Sequence, residues 1–219
     1  MNGPQDSGGR EGFGPVIREV NEPLFHAEWE RRAMAMNVAA GGAGQWTIDQ
    51  SRHARENCPP ADYYRMSYYA IWTRGLENLL LERGLVTPEE LATGQSTATP
   101  QGITPLAAAR VPEVLLNGFP YDRDPKGRAA AFAPGDRVHT RNLQHSGHIR
   151  LPSYCRDKPG VISVVHGYHV FPDTSAEGDR ETAHWLYNVS FDARDLFGDR
   201  GRAGDTISVD LWEPYLDAR

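Results

Sequence analysis

The chain has 219 residues, a mass of 24.3 kDa and a formal charge of −6, with 23 Lys and Arg against 29 Asp and Glu. That length suits one generous domain or two small ones with a sizeable core, and the acidic balance argues against a general nucleic-acid binder. No apolar run approaches the roughly 18–20 residues that span a bilayer, so neither nucleic acid nor membrane is expected as a partner. The two cysteines, Cys58 and Cys155, cannot form a disulfide framework. With a polar, Gly-rich start that lacks a signal-peptide pattern, they read as reduced thiols of a cytoplasmic protein.

Residues 1–24 read as an extended arm. Gly3, Gly8, Gly9, Gly12 and Gly14 favour an irregular path, and Pro4, Pro15 and Pro23 oppose regular structure. The arm is too poor in apolar residues to fold alone, which leaves disorder or attachment to another surface. A helical segment over 25–93 follows. In its first helix Phe25, Trp29, Ala33 and Met36 fall near one face. Thr47-Ile-Asp-Gln50 is a capping box opening a second helix, which Pro59 and Pro60 end. Tyr68, Tyr69, Trp72, Leu76, Leu79 and Leu80 repeat at helical spacing between Ser67 and Arg83, with Gly84 suited to the left-handed position beyond the end. Thr87-Pro-Glu-Glu90 is a second capping box.

Residues 94–102 have linker composition. A short helix interrupted by Pro112 is expected over 105–117, and 94–130 reads as a variable connection. Beyond Phe132 the hydrophobic period changes from 3.6 to 2. Strands are expected around Val138, over 160–165, over 185–191 and over 206–212. Short strands between Gly-rich turns suggest a small closed barrel over 131–219. The expected class is therefore α+β, with a helical N-terminal half and a C-terminal antiparallel β-barrel.

The residues alone leave the chemistry open. His145/His148 and His166/His169 have the spacing of paired ligands, but no Cys pair or His-Glu-x-x-His helix accompanies them, so they read as surface or core histidines. Cys155, next to Arg156, reads as a structural thiol before it reads as a nucleophile. Arg52 and Arg150 could each fork onto an anion with paired hydrogen bonds, although a solvated helix arginine explains Arg52 as well. Tyr68, Tyr69 and Trp72 could line a pocket or be ordinary core.

Several separate stretches, in one order, carry a resemblance. They are Met1-Asn-Gly with Gly12-Phe-Gly14-Pro, Asn21-Glu-Pro with Glu28-Trp-Glu30, and Ser67-Tyr-Tyr-x-x-Trp72 with Glu77-Asn-Leu-Leu. In the second half they are Gly147-His-Ile-Arg150-x-Pro152-x-Tyr154-x-Arg156, Phe171-Pro-Asp-Thr174, and Val209-Asp-Leu-Trp-Glu-x-Tyr215-Leu216. The chain resembles the β subunits of nitrile hydratases from end to end, except over about 94–130.

The resemblance implies an SH3-like form for the barrel and a partner, the α subunit, in an αβ pair and an α2β2 assembly. It implies hydration of nitriles to amides at a Co(III) or non-haem Fe(III) ion. That ion would be held by the α subunit in a Cys-rich loop with two oxidised cysteines, and not by this chain. By position in the motifs, Arg52 and Arg150 would bind the oxidised-cysteine oxygens. Ile48, Ser51, Tyr68 and Trp72 would line the substrate pocket, and the arm would embrace the partner. Two relatives share parts of the pattern: thiocyanate hydrolase, whose equivalent is split between two subunits, and a metallocentre activator resembling only the helical half. A non-catalytic SH3-like binding module remains the alternative from another class. The sequon Asn188-Val-Ser190 reads as unused.

Overall fold

A computed structural model describes residues 3–97 and 103–219. Part of the linker expected over 94–102 therefore lies outside the described residues, as do Met1 and Asn2. The chain forms two compact units. One joins residues 1–11 to 120–219, and the other spans 12–119.

Among the described residues, the 12–119 unit holds six α-helices. They are α1 (Glu28–Gly42), α2 (Ile48–Glu56), α3 (Pro60–Arg65), α4 (Tyr68–Glu82), α5 (Pro88–Thr93) and α6 (Val111–Asn117). Both capping boxes form. Gln50 N donates to Thr47 Oγ1 at 3.0 Å and Thr47 N to Gln50 Oε1 at 2.9 Å, and Thr87 and Glu90 make the same exchange at the start of α5. Pro60 does not only end α2. It opens α3, where its missing N–H costs nothing in the first turn. Pro112 likewise lies in the first turn of α6 rather than interrupting a helix.

Only part of the face expected to bury α1 goes inside: Ala33 does, and its larger neighbours do not. Trp29 and Met36 are about half exposed, while Glu30, Ala33 and Asn37 are buried. The buried polar groups are bonded: His26 N donates to Glu30 Oε2 at 2.7 Å, and Asn37 Nδ2 to the Ala33 carbonyl at 2.9 Å. A small core of Trp46, Ala54, Leu76 and Leu79 packs α2 against α4. The helices approach closely at Gly75, where an added Cβ would lie 2.6 Å from Arg55 Cγ and 3.2 Å from its backbone nitrogen.

The other unit is built on five antiparallel strands: β1 (Arg137–Thr140), β2 (Pro159–Val170), β3 (Ala183–Asp192), β4 (Thr206–Trp212) and β5 (Leu216–Ala218). Their order is β4-β3-β2-β1-β5. The closed barrel expected from the strand pattern is not what the pairing gives: β4 and β5 are the two edges, and the sheet does not close. The twelve-residue β2 pairs with both neighbours and shifts register between Ile162 and Val164 and again between Val165 and Gly167. Such bulges bend a strand and increase its twist. Gly160 lets β2 pass over Val189 and Phe191, since a Cβ there would meet Val189 Cγ1 at 2.6 Å. Two short helices, α7 (Pro172–Ser175) and α8 (Ala193–Phe197), flank the sheet. The core of this unit is larger and includes Val138, Ile149, Leu151, Ile162, Tyr187, Phe191 and Tyr215, all essentially buried.

The first part of the arm belongs to this unit. Ser153 N donates to the Asp6 carboxylate at 3.1 Å, Arg156 lies 3.8 Å from it, and Gly9 packs against Phe197 and Tyr154. Farther along the arm the apolar side chains find little cover: Val16, Ile17, Val20 and Leu24 are each at least 86% exposed. No described helix is long and apolar enough to cross a membrane.

Candidate functional site

Five of the six residues singled out in the sequence lie on α2 and α4. Ile48 is the first residue of α2 and half exposed. Ser51, one turn on, is buried. Arg52 donates from Nη1 to Asp49 Oδ1 at 2.9 Å. Asp49 is itself almost fully buried, while the Arg52 side chain keeps 38% of its surface open. A buried carboxylate in the first turn is favoured by the helix dipole. It holds one end of the guanidinium, while the side chain stays partly open to solvent.

On α4, Tyr68 is largely exposed and packs at 5.5 Å on Trp72 and 5.3 Å on Tyr69. Tyr69 continues the aromatic group to Phe25 at 5.5 Å. The link between the two helices is Arg55, which the sequence did not single out. Its Nη2 donates to Ser51 Oγ at 2.8 Å, and its guanidinium lies 3.8 Å from the Trp72 ring centroid. Burial lowers its pKa from the usual arginine value. The spacing of Arg55 from Ser51, one helical turn, was visible in the sequence. Its stacking on a ring 17 residues away was not.

Arg150 lies in the sheet-containing unit, on the segment between β1 and β2. Its neighbours Ile149 and Leu151 are fully buried, so the backbone at Arg150 is clamped on both sides while its side chain stays half-buried. Its N–H donates to the Tyr215 hydroxyl at 3.2 Å, and that hydroxyl donates to Asp173 Oδ1. Tyr215 and Asp173 are the other residues to which the sequence reading gave no separate role.

The remaining candidates take structural places. His166 pairs with Asp210 at 3.0 Å, and His145 Nδ1 accepts from Gly147 N at 2.9 Å. Cys58 and Cys155 are free and buried. Burial pushes the Cys155 thiol up to about 12, and Tyr154 donates a hydrogen bond that opposes the shift. The Cys155 thiol is thus poorly suited to serve as a thiolate ligand or nucleophile. Two shallow hollows on the helical unit, one along Asn57, Arg74 and Asn78 and one along Cys58, Arg65 and Met66, are lined by none of the six candidate residues.

The helical unit thus carries an anchored arginine and an aromatic wall, the sheet-containing unit carries a second arginine with its backbone held, and no thiolate cluster lies among the described residues. Residues 1–117 match the family description "Nitrile hydratase beta subunit, N-terminal", and residues 120–218 match "Nitrile hydratase beta subunit, C-terminal". The chain belongs to the nitrile hydratase β-subunit family. It is 38% identical over 218 residues to the nitrile hydratase subunit beta of Pseudomonas putida, covering 99% of each chain. It is 35% identical over 224 residues to the low-molecular weight cobalt-containing nitrile hydratase subunit beta of Rhodococcus rhodochrous, again covering 99% of each. The thiocyanate hydrolase subunit alpha of Thiobacillus thioparus matches only 42% of this chain, at 29% identity over 96 residues and 76% of its own length. The continuous match along both halves thus favours nitrile hydratase over the split relative. A nitrile hydratase β subunit serves a lyase that hydrates nitriles to amides, as part of an αβ complex with a metal cofactor.

Proposed function

We infer that this chain supplies the arginine anchors and one pocket wall to a nitrile-hydrating αβ complex, and that the metal is held by the α subunit. The observation that carries this reading is the anchoring of Arg52 by buried Asp49, with its side chain partly open to solvent. Oxidised cysteine ligands present sulfinate and sulfenate oxygens, which are anionic and crowded. Burying them unpaired is costly, and an arginine meets them with fixed, permanently charged donors that lysine cannot reproduce. Arg52 and Arg150 are the donors to these oxygens, and their hold keeps the ligand set in shape. The chain's own Cys155 does not fit a ligand role, since it is buried and held protonated. When bound in the partner, a Co(III) or non-haem Fe(III) ion supplies Lewis acidity toward the nitrile. The cobalt named in the Rhodococcus rhodochrous relative makes cobalt the first metal to test.

Ile48, Ser51, Tyr68 and Trp72 form this chain's side of the substrate pocket. The exposed apolar strip from Val16 to Leu24 lies over the α subunit, and two such pairs make an α2β2 assembly. A cytoplasmic location suits two free thiols. The strand order, the bent β2 shared by two neighbours and the short turn before β5 support an SH3-like barrel for residues 131–219, preceded by a helical region over 25–93 and a variable link over 94–130.

The test is co-expression with an α-type subunit and its activator, purification through a tag on this chain, and assay of acrylonitrile and benzonitrile. Stoichiometric co-purification, amide product and one metal per pair are expected. Arg52→Lys in that complex is expected to lower kcat by roughly 100-fold, within the range lost with one preorganised donor. No partner, no metal and no amide would leave a non-catalytic binding module as the better account.

A further inference from the structure

We propose that Tyr215 and Asp173 are positioning residues for Arg150, a hydrogen-bonded brace that sets where its guanidinium stands. The inference rests on the role given to Arg150 above. Tyr215 has no exposed surface. Its ring is packed by Phe171 at 5.4 Å and Trp212 at 6.5 Å, and its carbonyl accepts from Arg141 N at 2.8 Å. The residue is thus immobile at both its backbone and its ring. A phenylalanine would fill the same volume without the cost of burying a hydroxyl. What the hydroxyl adds is two bonds: it accepts the Arg150 N–H at 3.2 Å and donates to Asp173 Oδ1.

The direction of the brace follows from the chemistry. Burial, and then the neighbouring Asp173 charge, raise the Tyr215 pKa, so the phenol keeps its proton and donates it toward the carboxylate. With that proton committed, the oxygen lone pairs face the backbone N–H of Arg150. Asp173 sits in the first turn of α7, so a short helix, the turn before β5 and the Arg150 segment are tied through one oxygen. Two further anchors hold the same segment: Arg156 Nη2 donates to the Leu151 carbonyl at 3.4 Å, and Ser153 N donates to Asp6. The Tyr215 bond acts on the Arg150 backbone itself. A side chain that must meet an anion within a few tenths of an ångström needs such a root, because small misplacement is expensive in rate.

The experiment compares Tyr215→Phe, Asp173→Asn, Arg150→Lys and the packing control Val138→Ala in the assembled αβ complex. The readouts are kcat, KM for acrylonitrile, the visible charge-transfer absorption of the metal centre, and hydrogen exchange at the Arg150 amide. Tyr215→Phe is expected to assemble with full metal and to lower kcat by about 10- to 100-fold. KM should change little, the band should move in the same direction as in Arg150→Lys, and the Arg150 amide should exchange faster. Asp173→Asn is expected to follow it more weakly, and Val138→Ala to lower the melting temperature without moving the band. If Arg150→Lys alters kcat and the band while Tyr215→Phe alters neither, the brace is refuted and the Arg150 role stands. If Arg150→Lys alters neither, the Arg150 role fails and the brace fails with it. If neither Tyr215→Phe nor Asp173→Asn assembles, the bond serves folding alone and the proposal is overturned.

Discussion

The Arg55 guanidinium lies 3.8 Å from the Trp72 ring centroid while donating to Ser51 Oγ at 2.8 Å. One cation therefore ties the buried serine of α2 to the aromatic wall of α4. A partly desolvated cation on an indole face is worth about 1–2 kcal/mol, enough to keep the ring in one orientation.

Arg55→Met keeps much of the side chain's length and removes both contacts. We expect KM for benzonitrile to rise about 5-fold or more, the equivalent of roughly 1 kcal/mol, with kcat changed much less. Steady-state kinetics of the αβ complex decide it. A collapse of kcat at constant KM would assign Arg55 to the chemistry instead of the wall.

Ser51 is small, buried and bonded to Arg55, so the proposed pocket should be wide and polar at this wall. Ser51→Phe cannot enter without displacing the Arg55 guanidinium. The ratio of benzonitrile to acrylonitrile kcat/KM is expected to fall. An unchanged ratio would remove Ser51 from the pocket.

Gly75→Ala tests the α2–α4 contact at the stem of Arg55. The new Cβ would meet Arg55 Cγ at 2.6 Å and its backbone nitrogen at 3.2 Å. Overpacking of this kind costs about 1–3 kcal/mol, which thermal or urea unfolding would register as a lower midpoint. An unchanged midpoint would mean that the helices separate freely there.

His26 reports the pH dependence of the arm. Its Nε2 lies 3.0 Å from Glu19 Oε2, and the Glu19 hydrogen bond and charge raise its pKa above 6.5. A raised basic group stabilises the folded form fully below pH 6.5, and that contribution fades as pH rises through the raised value. NMR titration of the His26 ring should show a midpoint above 6.5, returned toward 6.5 by Glu19→Gln. The same midpoint in both proteins would show that the pair does not form.

The thiols give a plain chemical check. Cys58 and Cys155 are buried, and Cys155 is held protonated. Iodoacetamide at pH 8 should label neither in the native complex and both in denaturant. Rapid native labelling of Cys155 would contradict its burial.

The sequence was most legible where local rules and burial agree. Thr47 and Gln50 announced α2, Thr87 and Glu90 announced α5, and the alternation from Thr206 to Trp212 gave β4 at its observed ends. It misled at α1, because a 3.6-residue period marks a face without saying which way that face turns. Glu30 and Asn37 went inside because each found a backbone partner. Three-residue β5 carries no period at all, and the openness of the sheet depends on which edges pair. Arg52 and Arg150 could be picked out as possible anion forks, but a solvated helix arginine explained Arg52 as well, and only the likeness of whole motifs gave the two a role. Asp49 stood in plain view inside a capping box, yet its hold on Arg52 depends on a helical turn that had first to be built.

The arm has a consequence for how the protein must be made. Val16, Ile17, Val20 and Leu24 lie bare on the surface, and bare apolar side chains are what aggregation and proteolytic surveillance act upon. With the arm docked on the α subunit as proposed, a copy without its mate would be marked for loss, and a paired copy would have the mark covered. Dosage of the two polypeptides would then be trimmed by chemistry after synthesis.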